Sequence, residues 1–174
     1  LANRLTENGR YSVLVLEAGG HDLNFWIWMP IGYGKAFYDK NINWMYSTEP
    51  DPGTNGRESY WPRGKVIGGS SSINAMVYIR GQQTDFEDWK ALGNAGWGWD
   101  DVLPYFKKSE DHFSGSNDYH SAGGEWKVSR QRLSWEILDA FQEAAKEFGY
   151  NPTQDFNAGT NEGSGFFEVN QRNG

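Results

Sequence analysis

The sequence predicts an α/β fold, and three observations support this prediction. The continuous apolar run Val13-Leu14-Val15-Leu16 is typical of a parallel strand that is buried on both faces. Before it, residues 1–8 have the spacing of a helix end, and Gly9-Arg10 forms a tight turn into the strand. Residues 134–148 carry apolar side chains at the spacing of an amphipathic helix, with Ser134 predicted as its N-cap.

Composition excludes several classes of protein. Sixteen basic against 23 acidic residues give a formal charge of -7, and a field of that sign repels nucleic acid. No apolar run approaches the roughly 18–20 residues of a membrane-spanning helix, so we expect a soluble chain without a membrane span. The absence of cysteine excludes disulfides, thiolate zinc sites and a cysteine nucleophile. It is also compatible with a reducing cytoplasm, which is the expected location.

The remaining segments predict an irregular first half and a more regular second half. Residues 21–62 are crowded with aromatic residues, lack periodicity and are too long for an ordinary loop, so a cover or lid is expected. A short helix is predicted at residues 85–92 and a strand at 125–129. Pro104 is predicted to open a helix that runs to about residue 110.

Both ends of the sequence are expected to be truncations. Residue 1 is Leu, lies inside a helical pattern and follows no visible signal peptide. The tail Gln171-Arg172-Asn173-Gly174 comes directly after a strand-like segment at 166–169.

Glu17 closes the predicted strand and indicates nucleotide binding. In a dinucleotide-binding βαβ unit, an acid at the end of the second strand accepts hydrogen bonds from a ribose. The glycine fingerprint of such a unit lies about 20 residues earlier, which would place it just before Leu1. A glutamate here favours a free ribose diol, because it would repel a 2′-phosphate. The alternative is a structural glutamate at the end of a buried strand.

A Gly/Ser loop at residues 63–81 carries the second indication of nucleotide binding. Gly68-Gly69 lets the backbone approach a ligand closely, and the NH groups and hydroxyls of Ser70-Ser71-Ser72 can bind a pyrophosphate. Asn74 adds an amide, and Ala75-Met76 are slim or adaptable enough to pass a flat ring. The alternative is a glycine-rich turn that leads into a buried strand.

This loop resembles the first consensus of the glucose–methanol–choline (GMC) oxidoreductase family. The matching pattern is Gly64-Lys65-x-Ile67-Gly68-Gly69-Ser70-Ser71-x-Ile73-Asn74, followed at family spacing by Tyr78, Gly81 and Glu87. Other segments that are similar to the family occur in family order: residues 1–5, 15–20, 44–50, 96–97, 101–106 and 155–157. The resemblance is to choline dehydrogenase-like and to short-alcohol or polyethylene-glycol dehydrogenase-like bacterial members.

The resemblance implies an incomplete dinucleotide-binding (Rossmann-like) FAD domain. Residues 1–110 would form this domain, with the lid at about 21–62 and the cofactor loop at 63–81. Residues 111–174 would begin an α+β substrate domain. The cofactor-binding residues implied by the resemblance are Glu17 at the adenosine ribose, Trp44 near the pyrophosphate, Val66, Ser70, and Asn74, Ala75, Met76 and Val77 beside the isoalloxazine. Some members tether FAD through a histidine at the position of Ile73, so non-covalent FAD is expected here.

The reaction implied by the resemblance is oxidation of a primary alcohol to an aldehyde. In the family the base is a His near the C-terminus with a His or Asn partner, so both are expected beyond Gly174 and this chain alone is expected to be inactive. His21, His112 and His120 do not match and are predicted to be surface or loop residues. The paired acids at 100–101 and 110–111 are predicted to be helix-end or solvated charges, and no metal site is expected.

Two alternatives to a redox enzyme remain open at this stage. Clustered aromatic residues also occur in modules that bind sugars or other ring ligands, and a degenerate family member could keep the fold without catalysis. The alcohol is not determined by the sequence; choline or another short or polyether alcohol is expected. The electron acceptor is equally open among a quinone, a dye and oxygen.

Overall fold

The computed structural model describes residues 1–172, so Asn173 and Gly174, which end the predicted truncated tail, lie outside the described residues. Backbone contacts divide the chain into two compact units, Leu1–Ala75 and Met76–Gly174. Helices and mixed sheets occur together, and the α/β class predicted from the sequence is confirmed.

The first unit contains short elements separated by turns. Its helices are α1 (Ala2–Thr6), α2 (Phe25–Trp28) and α3 (Tyr33–Ala36). Strands β1 (Tyr46–Ser47) and β2 (Tyr60–Trp61) pair antiparallel. Three 3₁₀ segments complete the unit: Pro30–Gly32, Pro52–Thr54 and Gly69–Ser72. The aromatic-rich region 21–62 therefore holds only short elements, as its lack of periodicity indicates.

A small apolar core connects the aromatic-rich region to the Gly/Ser loop. Ala36 and Ile42 pack with Val66 and Ile73, and all four side chains are buried. The core thus holds the loop in place through the buried side chains of Val66 and Ile73. These contacts are apolar and therefore non-directional.

Segment 63–67 lies between two other parts of the first unit. On one side the amide of Ile67 donates to the carbonyl of Gly20 over 2.9 Å. On the other side Lys65 N–H donates to Ile42 O over 2.8 Å, and Trp44 N–H donates to Arg63 O over 2.9 Å. Three stretches that are distant in sequence therefore run side by side.

The expected buried strand at residues 11–16 is not observed. These residues form no strand pairing with any other residue among 1–172, and Leu14 and Leu16 are exposed at 83% and 86%. A strand of this kind is defined by hydrogen bonds to neighbours on both edges and by layers on both faces. The described residues supply neither to this segment, so its apolar pattern is present without the environment that the pattern predicts.

The second unit combines three helices with a four-stranded mixed sheet. Its helices are α4 (Gln83–Ala91), α5 (Trp99–Ser109) and α6 (Glu136–Glu147). Its strands are β3 (Val77–Tyr78), β4 (Glu110–His112), β5 (Trp126–Arg130) and β6 (Glu168–Val169), in the order β3-β6-β5-β4. β4 and β5 are parallel, whereas β6 is antiparallel to both of its neighbours. The predicted helix at 85–92 and strand at 125–129 are confirmed within two residues.

The prediction that Pro104 opens a helix is wrong, because α5 begins five residues earlier. Gly98 is its N-cap, and the Asp101 carboxylate accepts the Gly98 N–H over 3.1 Å. This contact satisfies an amide that the helix leaves without a partner at its start. Asp101 is thus the helix-end charge that the sequence predicts, and Pro104 lies inside the helix.

Ser134 is not the N-cap of α6. Trp135 occupies that position without a side-chain cap, and the helix begins at Glu136. None of the residues of α6, all of which are described, is buried, although the predicted apolar spacing is present. Its apolar face, which includes Ile137 and Phe141, is exposed.

In the part of the chain that the structure describes, helices are too short or too polar to span a bilayer.

Adjacent glycines provide a test of the close backbone approach in the first unit. A Cβ on Gly19 would lie 1.9 Å from the carbonyl oxygen of Lys65, whereas one on Gly20 would meet nothing within 4 Å. We expect Gly19→Ala to destabilise by about 1–3 kcal/mol, because backbone must move to relieve the overlap. The measurement is the apparent melting temperature of the full-length protein, with Gly20→Ala as the matched control. Equal melting temperatures for both variants would contradict the close approach.

Candidate functional site

The first candidate site is formed by the Gly/Ser loop and the two segments beside it. The bridge between Gly20 and Val66 places the turn after Glu17 against the entry to the loop. The opposite pairing places Trp44 against the same entry. The structure therefore brings three predicted cofactor-binding segments together, those of Glu17, Trp44 and Val66.

Glu17 is exposed and partly engaged with its own turn. Its Oε1 accepts the amide of Gly19 over 2.8 Å, which fixes the carboxylate at the end of the extended segment. A carboxylate offers two oxygens with about four lone-pair sites, so one such bond leaves acceptor capacity for ribose hydroxyls.

The three serines of the loop do different things. Ser71 Oγ donates to Gly68 O over 2.6 Å and Ser72 Oγ donates to Ile67 O over 2.8 Å, so both hydroxyls serve the loop itself. Ser70 Oγ instead accepts the amide of Gly64 over 3.1 Å and keeps its O–H available as a donor. Of the three hydroxyls, that of exposed Ser70 suits a ligand best, and Ser70 is also the serine that the family resemblance implies as a cofactor contact.

Glycine is required where the loop folds back on itself. Gly68 and Gly69 adopt φ of 88° and 59°, in the left-handed region that residues with a side chain rarely occupy. A Cβ on Gly64 would lie 2.1 Å from Gly69 O. The result is a tight, small-residue surface with Gly68 and Ser70 exposed.

Val66 and Trp44 present different groups to this surface. The Val66 side chain is fully buried in the core, so Val66 can meet a ligand only through its backbone. Trp44 is 42% exposed, stacks in parallel with Tyr46 at 6.0 Å, and carries the ammonium of Lys65 at 4.7 Å from its ring centre. An aromatic face with a cation above it suits a polyanionic dinucleotide.

Asn74, Ala75, Met76 and Val77 follow one another across the boundary between the units. Asn74, Ala75 and Val77 are exposed, and Met76 is half-buried. Met76 has a φ of 61°, an uncommon value for a residue with a side chain. Its carbonyl accepts the amide of Asn170 over 2.9 Å, and Gln171 Nε2 donates to its sulfur over 3.6 Å.

The residues of the first unit fit FAD. The cradle at Gly64 and Gly68-Gly69 has no room for added side chains at two of its three glycines, and its outer surface is small and polar. Glu17 offers an acceptor of the kind that a ribose diol needs, and Ser70 offers a donor of the kind that a phosphate needs.

A second cluster lies in the second unit and was missed by sequence reasoning. Arg80, Glu110, His120, Asp155 and Asn157 form a closed ring of hydrogen bonds, which we call the buried ring. Arg80 Nη2 donates to Glu110 Oε1 over 2.8 Å, and His120 Nδ1 donates to the same carboxylate over 3.0 Å. His120 Nε2 donates to Asp155 Oδ2 over 2.8 Å. Asp155 Oδ1 accepts the amide of Asn157 over 2.7 Å, and Asn157 Oδ1 accepts the amide of Arg80 over 2.8 Å.

The ring requires a protonated imidazole at His120. Both of its nitrogens face carboxylate oxygens, and only an imidazolium can donate from both. Burial alone would lower the pKa of His120, but the hydrogen bonds to Asp155 and Glu110 outweigh it and raise that pKa to about 9. Burial would likewise raise the pKa values of Glu110 and Asp155, yet hydrogen bonds, chiefly from His120, hold both below their usual range. The positive charges of Arg80 and His120 therefore balance the negative charges of Glu110 and Asp155.

His112 stacks on His120 but makes different contacts. The two ring centres are 3.8 Å apart. His112 Nδ1 accepts the backbone amide of Ser114 over 3.3 Å, so the proton lies on Nε2, which donates to Glu168 over 3.1 Å. Tyr78 approaches the ring through its hydroxyl, which accepts from Arg80 Nη2 over 3.3 Å, and burial raises the pKa of Tyr78.

Three expectations are thereby corrected. His112 is a buried residue of β4, His120 lies in a loop as expected but is buried rather than on the surface, and Glu110 is fully buried rather than solvated. His21, by contrast, is exposed as expected. Sequence reasoning also finds no ligand-spaced acid–histidine cluster, yet atoms of Glu110, His112 and His120 lie within 4.8 Å of one another. Glu110 and His112 alternate on a strand and so share a face, which is the pattern that could have revealed them.

These atoms are already used in ways that disfavour a metal ion. The guanidinium of Arg80 lies 2.8 Å from Glu110, where it would repel a dication. An imidazolium at His120 has no lone pair to offer a metal. Every buried side-chain nitrogen and oxygen among the described residues has a hydrogen-bond partner. The cluster is therefore interpreted as a protonated hydrogen-bond network.

Comparison with known proteins gives a consistent result. A family model described as GMC oxidoreductase matches residues 3–174. An oxygen-dependent choline dehydrogenase from Rhizobium etli is 46% identical over 168 residues, which cover 97% of this chain and 31% of that protein. The mitochondrial choline dehydrogenase of Mus musculus is 42% identical over 181 residues, covering 100% of this chain and 30% of that protein. The chain thus spans about a third of the length of these relatives.

Solved structures agree with the sequence relatives. A pyridoxine 4-oxidase from Mesorbium loti has a TM-score of 0.93 and 35% identity, covering 99% of this chain and 34% of that one. An FAD-dependent oxidoreductase from Chaetomium thermophilum has a TM-score of 0.83 and 30% identity, covering 98% of this chain and 31% of that one. The resemblance read from the residues is confirmed.

The buried ring makes stability depend on pH in a defined direction. Because the pKa of His120 rises from 6.5 to about 9, its proton contributes about 3 kcal/mol below pH 6.5, and this contribution is lost as pH rises through 9. Because the pKa values of Glu110 and Asp155 are lowered, their ionised carboxylates stabilise the folded state above about pH 4, and this stabilisation is lost as pH falls. We expect the melting temperature of the full-length protein to fall towards pH 9, and His120→Gln to flatten that alkaline decline. His21→Gln should keep the wild-type profile; a wild-type melting temperature that is constant from pH 6 to 10 would contradict this account.

Proposed function

Because the chain belongs to the GMC oxidoreductase family, we propose that it forms the FAD-binding part of an enzyme that oxidises a primary alcohol to an aldehyde. Family membership makes the protein an oxidoreductase with FAD as cofactor. The observation that carries the proposal is the side-by-side arrangement around segment 63–67, with the Glu17 turn on one side and Trp44 on the other.

In the proposed site, the first unit binds the nucleotide end of FAD. The Glu17 carboxylate accepts hydrogen bonds from the adenosine ribose, and its charge disfavours a 2′-phosphate. Ser70 donates its hydroxyl to the pyrophosphate, and Val66 contacts the cofactor through its backbone. Trp44 covers the pyrophosphate with its indole face, and the region 21–62 serves as the lid.

The segment Asn74-Ala75-Met76-Val77 is proposed to line the isoalloxazine. Its exposed backbone and small Ala75 allow a flat ring to approach. Bound FAD supplies the hydride acceptor, at flavin N5. The buried side chain of Ile73 offers no atom for a covalent tether, so FAD is proposed to be non-covalent.

The catalytic base is proposed to come from outside this chain. Removal of the alcohol proton needs a base within about 3 Å of the substrate oxygen. His112 and His120 are buried and hydrogen-bonded to carboxylates, so neither can reach a substrate. By resemblance, the base is a histidine with a His or Asn partner beyond Gly174.

Choline or another short or polyether alcohol is the proposed substrate class. Two relatives are named choline dehydrogenases, which supports choline in particular. The electron acceptor is proposed to be oxygen, a quinone or a dye, and one relative's name specifies oxygen.

The function is tested on the full-length protein. We expect a visible flavin spectrum that bleaches under anaerobic conditions when choline or a small primary alcohol is added. Acid denaturation should release the flavin into the supernatant, because no covalent bond retains it. Tetramethylammonium, which shares the charge of choline but lacks the hydroxyl, is the control and should not bleach it. A colourless protein would contradict the proposal and favour a binding module. A yellow protein precipitate after acid denaturation would contradict only the non-covalent attachment of FAD.

The role of Glu17 is tested by affinity. Glu17→Gln keeps the acceptor for Gly19 but removes the charge, and a hydrogen bond to a charged group contributes about 1.5–3 kcal/mol. We expect the dissociation constant for FAD to rise about tenfold or more in titrations of the apoprotein. Glu58→Gln, at an exposed position of the same unit, is the control and should bind FAD like wild type. Unchanged affinity in Glu17→Gln would mean that this glutamate is structural.

A further inference from the structure

The buried ring contacts the backbone directly after the segment proposed to line the flavin, at Tyr78 and Arg80. We propose that the ring positions Met76 and Val77, so that its members act as positioning residues for the flavin without touching it. This inference rests on the proposed function, since Met76 and Val77 meet the isoalloxazine only if FAD binds as proposed.

The backbone at Met76 needs support from its surroundings. Its φ of 61° lies in the left-handed region, where a residue with a side chain costs about 1–2 kcal/mol. Such conformations persist when neighbouring structure over-determines them. Contacts of the chain on either side of Met76 must therefore hold this conformation.

One edge of the segment is held by β6 and the residues after it. Val77 pairs with Val169 in the antiparallel ladder. The carbonyl of Met76 accepts from Asn170 N–H over 2.9 Å. These contacts are ordinary sheet bonds, which fix register along one side.

β3 is also held, just after its last residue, by a side chain of the buried ring. Asn157 Nδ2 donates to the carbonyl of Tyr78 over 3.3 Å, while Asn157 Oδ1 accepts the amide of Arg80 over 2.8 Å. One amide group therefore holds the backbone on both sides of Ile79. Both contacts are to backbone, so they set where the chain lies rather than merely filling space.

The rest of the ring orients that amide. Asp155 accepts the backbone amide of Asn157 and is itself held by the Nε2–H of His120. His120 is anchored by Glu110, which in turn binds the guanidinium of Arg80. The ring begins and ends at Arg80, two residues after β3. The loss of any member therefore weakens the contacts that hold the backbone at residues 78–80.

The electrostatic surroundings of His120 are defined on every side. Glu110 and His112 face it from β4, and Asp155 faces it from the loop after α6. Farther out, Arg80 is bound to Glu110, Glu168 of β6 is bound to His112, and the Tyr78 hydroxyl accepts from Arg80. Loss of the His120 proton removes one of the donors to a ring carboxylate and gives the ring a net negative charge.

The test uses His120→Gln and Glu110→Gln in the full-length protein. The first readout is hydrogen–deuterium exchange of peptides covering residues 76–80 in the apoprotein, and the second is the dissociation constant for FAD. We expect faster exchange in these peptides and a dissociation constant raised about five- to tenfold. In wild type alone, FAD affinity should weaken as pH is raised through 9, and this dependence should vanish in His120→Gln. The wild-type pH titration needs no variant, so it remains decisive if a ring variant fails to fold.

Two matched controls separate positioning from general loss of stability. Lys127→Met breaks the exposed ion pair with Asp111, which joins β4 and β5 outside the ring. Trp99→Phe removes buried volume beside Phe86 and should lower the melting temperature, while every hydrogen bond of the ring keeps both of its partners. Neither should change exchange at 76–80 or the affinity for FAD.

A double-mutant cycle with Met76→Gly tests the link directly. Glycine enters the left-handed region at no steric cost, so the ring has less to enforce. The effect of His120→Gln on FAD affinity should therefore be smaller in the Met76→Gly background than in wild type.

The outcomes are distinguishable. If ring variants lower only the melting temperature and leave exchange at 76–80 and FAD affinity as in the controls, the ring is structural and the inference is overturned. If exchange responds but the wild-type protein binds no FAD, the proposed function fails while the link between the ring and Met76 stands as a backbone effect. If exchange and affinity respond together, both are supported.

Discussion

Four charged side chains, three of them buried and that of Asp155 partly exposed, constrain several segments of the second unit. Burying a single carboxylate or guanidinium without a partner costs several kcal/mol, so each charge of the buried ring must meet an opposite one with good geometry. Arg80 and His120 balance Glu110 and Asp155, and the backbone amides of Ser121 and Asn157 supply further donors. This requirement fixes the end of β3, the start of β4 and the loops at 117–121 and 155–157 relative to one another.

The first unit reaches a similar end by other means. There the governing constraint is steric: backbone atoms of three segments approach so closely that Gly19 and Gly64 leave no space for a side chain. Beneath them lies a core of only a few apolar residues. Steric exclusion shapes the Gly/Ser loop, whereas the buried ring orients the backbone that follows β3.

The sequence predicted local patterns better than it predicted environments. The glycine spacing around residues 64–69 identified the family, because backbone conformations of this kind admit few other residues. Burial of Glu110 and His120 was missed, since it arises from contacts with Asp155, 35 residues beyond His120. The predicted strand at 11–16 was also wrong because it depends on residues distant in sequence. Its apolar pattern requires paired neighbours, and none of the described residues pairs with it. The Pro104 error was different, because capping by Asp101 outweighed the preference of proline for a first turn.

The placement of Ile73 bears on how a covalent flavoprotein could be made from this one. Its side chain is 3% exposed and packs with Ala36, Ile42 and Val66. A histidine introduced there would carry a polar ring into an apolar core, where an unpartnered nitrogen is costly. A single substitution is therefore not enough for covalent attachment. The imidazole of the introduced histidine must also face outwards, and larger side chains beneath the loop must fill the space that Ile73 leaves. Tethered and untethered flavin sites differ, on this view, in the packing under the loop as much as in the residue that forms the bond.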